Sequence, residues 1–125
     1  MSEPADEMTV HIRDGELRIR EICLRLPEAT EEPFGGHSAP SYRVRGKLFV
    51  MTSEDGGYLT FKAGPGVQQA LVGADPGRFF VSAYVGNKGW LGARLDVDQD
   101  WTELAGLIED SYRLIAPKRL TAQLD

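Results

Sequence analysis

Three residues in the first half of the chain have the chemistry of a catalytic site. His37 follows Gly35-Gly36, where an imidazole has room to be presented, and Ser38 and Ser41 lie close by. A serine nucleophile also needs a base within hydrogen-bond reach and an oxyanion site, and no nucleophile elbow surrounds either serine. His37 therefore reads as a loop or hinge histidine. Cys23 is the only cysteine and there are two histidines, so an internal disulfide is excluded and the usual ligands of a zinc cluster are lacking. Cys23 falls on the apolar side of a helical pattern and reads as a small buried side chain. Asp96, Asp98 and Asp100 alternate as in a calcium loop, but the glycine and terminal glutamate of such a loop are missing at the required offsets. Gly46-Lys47 has neither the upstream glycine nor the following Ser/Thr of a phosphate loop, since Leu48 comes next. Gly64-Pro65-Gly66 reads as a helix start. The expectation is a protein that is not an enzyme and that uses no metal and no cofactor.

The remaining chemistry is charge. The net value is −5, yet it is segregated along the chain. Residues 1–32 carry nine acids against four arginines, and residues 95–125 carry seven acids against Arg113, Lys118 and Arg119. Residues 33–94 reverse the balance, with seven basic residues against Glu54, Asp55 and Asp75. A local stripe of one sign sets a binding footprint even when the total charge argues against a polyanion partner.

The elements that must carry this stripe follow from spacing. Residues 1–8 hold Pro4 and acids with little apolar surface, which predicts a disordered acidic arm, with residues 9–125 as one domain. No basic and apolar leader is present and no apolar run approaches the ~20 residues of a membrane helix. A cytoplasmic protein without a membrane partner is expected. Asp14 is a candidate cap for a helix that runs through Ile19, Ile22, Cys23 and Leu26 and stops at Pro27. Strands are predicted at Pro40–Val44, 47–52 and 58–62, a short helix after Gly64, and a second hairpin from Phe79–Val85 to Trp90–Leu95. A last helix, capped by Asp98 or Asp100, places Trp101, Leu104 and Ile108 on one stripe until Pro117. Helices at both ends and hairpins between them imply an α+β domain, an antiparallel sheet with helices packed on one face. The other face is left open to a ligand.

Sorting of apolar and charged side chains favours a three-residue loop Val44-Arg45-Gly46, pairing Tyr42 with Leu48 and Arg43 with Lys47. Arg45 then projects at the tip. The second hairpin has Lys88 at its turn, Trp90 just beyond and Arg94 two alternate positions further on. Basic tips with an aromatic can hold phosphates and stack on bases. The same residues also suit an ordinary solubilising role, with Trp90 in the core.

Several stretches resemble the MmcQ/YjbR-like proteins: Leu26-Pro27-Glu28 followed by Pro33-Phe34-Gly35, then 42–49 (YRVRGKLF), Lys88-Gly89-Trp90, and Ser111-Tyr112-Arg113-Leu114 followed by Pro117-Lys118-Arg119. These run in family order over nearly the whole chain. The resemblance implies an α+β fold akin to secretion chaperones and to frataxin, with two wing-like hairpins that hold double-stranded DNA. Carried onto this chain, the nucleic-acid-binding residues are Arg43, Arg45, Lys47, Lys88, Trp90 and Arg94. The competing expectation is a protein-interaction or small-ligand domain that takes an apolar group on the open sheet face and the Gly35–Pro40 loop.

Overall fold

The computed structural model describes residues 7–33, 39–82 and 88–125, with side chains from Asp14 onward. Helix α1 (Glu7–Leu24) leads into β1 (Ala29–Pro33), β2 (Pro40–Val44), β3 (Lys47–Thr52) and β4 (Tyr58–Lys62). Helix α2 (Val67–Ala74) connects β4 to β5 (Phe79–Val81) and β6 (Trp90–Arg94), and α3 (Trp101–Ile115) and α4 (Lys118–Thr121) close the chain. The strands form one antiparallel six-stranded sheet in the order β1-β2-β3-β4-β6-β5. This is the α+β arrangement expected from the hairpin pattern.

Alternation along the strands divides the sheet into two faces. Leu59 and Phe61 of β4 and Leu91 and Ala93 of β6 are fully buried, and Ile19, Cys23, Leu104, Ile108 and Tyr112 of α1 and α3 close over them. Each such aliphatic side chain contributes about 1.5–3 kcal/mol of burial. Helix α2 joins the same core through Leu71 and Val72. Burial raises the pKa of the Cys23 thiol far above its usual range, with the Glu31 charge adding to the effect, so the thiol stays protonated and packed.

Helix α1 starts at Glu7, before the expected cap. Asp14 lies inside it and pairs with Arg18 one turn on at 2.9 Å. Of the expected acidic arm, residues 1–6 lie outside the described residues and Glu7 and Met8 are helical. Asp100 is the cap of α3, accepting the Glu103 N–H at 3.1 Å. Trp101 is only partly buried, at the core's margin, with the Arg18 guanidinium 5.5 Å from its ring centre.

The β2–β3 hairpin corrects the expected register. Val44 pairs with Lys47 and Arg43 with Leu48, so the loop is the two residues Arg45-Gly46, with φ of 53° and 77°. Two successive left-handed residues form the turn whose twist matches the strands, and glycine meets this at no cost in its position. A bulge then realigns the strands, because Tyr42 pairs with Val50 and Phe49 is the extra residue. Phe49 and Val50 both reach the core, while Leu48 shares the open face with Arg43. Side-chain sorting is thus achieved by the bulge rather than by a longer loop.

Beside that bulge, α3 enters the sheet. The Ser111 hydroxyl donates to the Phe49 carbonyl at 2.7 Å and accepts the Lys62 N–H at 2.9 Å, in place of a direct ladder bond between β3 and β4. Next to it, Tyr112 packs edge-on against Phe49 and donates its hydroxyl to the Pro27 carbonyl at 2.7 Å. Ser111→Ala removes the partner of two buried backbone groups, and the expected loss is about 2–4 kcal/mol of unfolding free energy in urea. A loss below about 1 kcal/mol would mean that β3 and β4 close the gap themselves.

Candidate nucleic-acid interface

Antiparallel topology places the β2–β3 turn, the end of β4 and the start of β6 at one end of the sheet. Lys47, Lys62 and Lys88 gather there, and none of them has an ion-pair partner among the described residues. Strands about 4.8 Å apart set Lys47 and Lys88 on the order of 10 Å from each other. A surface depression of about 480 Å³ lies between Lys62, Lys88 and the Gly64-Pro65-Gly66 turn. The opposite end carries Glu54, Asp55, Asp96 and Asp98. There the Asp55 carboxyl accepts the Gly57 N–H and the Ser53 hydroxyl, both at 2.8 Å, which holds its pKa below the usual range.

Arg45 does not project freely. Its guanidinium pairs with both carboxylate oxygens of Glu28, at 2.8 and 3.4 Å, and Arg119 reaches the same carboxylate at 3.3 Å. Glu28 occupies the third position of a turn in which the Ala29 N–H bonds to the Leu26 carbonyl at 3.1 Å, with Pro27 second. Its φ of 58° is one that glycine usually supplies. Two non-glycine residues with positive φ therefore face each other across an ion pair. Arg119, which the sequence pattern does not place at the interface, comes to the hairpin end through this contact.

The other assigned residues are spread out. Arg43 is partly buried on the open face and donates to the Gly46 carbonyl at 3.1 Å, bracing the turn. Arg94 stands at the far end of β6, paired with Tyr58, its guanidinium 5.1 Å from the Phe80 ring centre. Trp90 is partly exposed and directly opposite Lys62. The tip of the β5–β6 hairpin, including Tyr84, Gly86 and Asn87, lies outside the described residues, as does His37. Tyr42 and Phe49 are core residues. Burial, and the hydroxyl donated to Glu31 at 2.8 Å, drive the Tyr42 pKa far upward.

The face of the sheet away from the helices carries Met51, Thr60, Lys62, Trp90 and Phe80. Phe80 lies over Gly92, where a β-carbon would come within 2.2 Å of the ring, and meets Tyr58 edge-on at 5.3 Å. Only glycine admits this ring. Among the described residues, no cluster of three potential metal ligands occurs and no helix is long and apolar enough to cross a membrane.

A two-layer α+β domain of this topology, with two hairpins turning at one basic end, defines the structural class. The YjbR family model matches residues 24–114, and the chain belongs to the YjbR family. The crystal structure of Deinococcus radiodurans protein DR2400, which contains a DUF419 domain, has the same fold. Its TM-score is 0.72 at 22% identity, over 85% of this chain and 84% of that one. No curated protein matches the sequence.

The open face yields a test of its own. Thr60 Oγ1 is buried on that face with no hydrogen-bond partner among the described residues. Thr60→Val removes an unsatisfied hydroxyl, so stability in urea should stay level or rise by up to about 1 kcal/mol. A loss above about 1 kcal/mol would show that the hydroxyl is bonded.

Proposed function

We propose that this protein is a non-enzymatic DNA-binding protein that holds the phosphate backbone of a duplex at the hairpin end of its sheet. The observation that supports this reading is that Lys47, Lys62 and Lys88 come to one end of the sheet, without ion-pair partners among the described residues, on a chain whose net charge is −5. Backbone phosphates are recognised by such cations without regard to sequence, so base preference is small. Acidic residues at the opposite end orient the domain by repulsion from the polyanion. Arg45 and Arg119 share Glu28 and form the border of the contact rather than its centre.

Charge reversal is best placed at Lys47 and Lys88, because both side chains are exposed and neither supports the fold. With about three to four phosphate contacts, binding to duplex DNA should weaken with salt at a log–log slope of about −3 to −4. The pair Lys47→Glu and Lys88→Glu should melt as the parent does and weaken binding at least about tenfold, with a slope smaller by about 2. Polarisation titrations at several salt concentrations measure both quantities. Unchanged affinity in the double variant, or binding indifferent to salt, would overturn the phosphate-contact reading.

A further inference from the structure

The half of the open face formed by β4, β6 and β5 interleaves aromatic rings with cations. Lys62 stands directly opposite Trp90, and Tyr58 directly opposite Arg94, with the Thr60, Gly92 and Phe80 row between them. Rows two residues apart along a strand are separated by about 6.6 Å. Tyr58 is 40% exposed, Trp90 and Phe80 are partly exposed, and all the helices with core contacts lie on the other side. The platform is braced from its edges. Gln68 of α2 donates to the Trp90 carbonyl at 2.7 Å, the Ala63 N–H to the Gly89 carbonyl at 3.0 Å, and Phe80 is seated on Gly92. Glu32 of β1 shares this face three strands from Lys62, about 14 Å away, and the acidic end of the sheet lies beyond Arg94.

A rigid sheet face bearing π-surfaces at strand-repeat intervals, with cations beside them, matches unpaired bases and the phosphates that join them. A duplex offers no such bases, since its rings are stacked on one another. An apolar peptide would leave Lys62 desolvated without a counter-charge. The aliphatic hydroxyl between the rings, Thr60, is buried, so the stacking rows present no serine or threonine hydroxyl to a 2′-hydroxyl. We infer that the open sheet face binds single-stranded DNA, stacking bases on Trp90 and on the Tyr58–Phe80 pair, with Lys62 and Arg94 on the phosphates. The inference takes the polymer from the proposed DNA reading and adds a second face to it.

The probe is a fluorescein-labelled oligo-dT of about 15 nucleotides, titrated by polarisation beside a duplex of equal length and an oligo-rU strand. Trp90→Ala and Tyr58→Ala should each weaken oligo-dT binding about tenfold or more with the salt slope kept, and change duplex binding less than about twofold. Trp101→Phe leaves Trp90 as the only tryptophan, and its emission should be quenched as oligo-dT is added. Parental affinity for oligo-dT in both alanine variants, or no quenching of Trp90, would overturn the inference. Oligo-rU binding about tenfold tighter than oligo-dT would overturn the assignment to DNA. Duplex binding without oligo-dT binding removes this inference and leaves the hairpin reading standing, whereas binding of neither strand form removes both.

Discussion

The placement of one hydroxyl organises this molecule. Ser111 stands where β3 and β4 would exchange a ladder bond and relays that bond through its own oxygen, from the Lys62 N–H to the Phe49 carbonyl. A buried relay of this kind is stable because every group in it has a partner, and it fixes α3 against the sheet to within a hydrogen bond. The adjacent Tyr112 extends the constraint to the far side of the domain. Its hydroxyl holds the Pro27 carbonyl, and so sets the turn by which α1 enters β1. That turn positions Glu28, and Glu28 positions Arg45 and Arg119. Two consecutive residues of one helix therefore connect the bulged strand, the helix-to-strand turn and the cationic end of the sheet.

The same arrangement explains how an acidic protein presents a basic surface. Antiparallel pairing brings every second strand end to one side, so residues distant in the chain, such as Lys47, Lys62 and Lys88, come to the same end of the sheet. The acids of the β3–β4 turn and of the segment after β6 are carried to the other side by the same rule. Coulombic interactions between exposed charges fade over a Debye length of about 8–10 Å, so the two ends act independently in ordinary salt. Glu28 tempers the basic end. It pairs with the hairpin-tip arginine and leaves the lysines, which are point charges rather than planar forks.

What the sequence makes legible is unequal for physical reasons. Strands β2, β3 and β4 and the last helix follow from period and punctuation alone, because alternation and the Asp100 cap are local signals. The start of α1 is not legible in the sequence because Asp14 has the type of a cap and serves instead as the partner of Arg18. The hairpin register departs from strict alternation because of the bulge at Phe49, whose carbonyl bonds to Ser111, a residue distant in sequence. Among the site residues, Lys47 and Lys88 were visible as turn residues and Trp90 as an aromatic beside them. Lys62 looked like the end of a strand, and Arg119 and Glu28 meet only in three dimensions. No local pattern announces a carboxylate from one turn joining guanidiniums from a hairpin and a terminal helix.

The central claim is that the hairpin end, and not a helix face, meets the phosphate backbone. The most direct measurement is an amide-resolved NMR titration of the full chain with a short duplex at low salt. Shifts concentrated at Gly46, Lys47, Lys62, Lys88 and Gly89, and reversed by added salt, are the predicted result. Shifts confined to the exposed sides of α1 and α3, or no shifts at millimolar DNA, beyond the weak limit of roughly 10⁻⁴ M for non-specific binding, would contradict it.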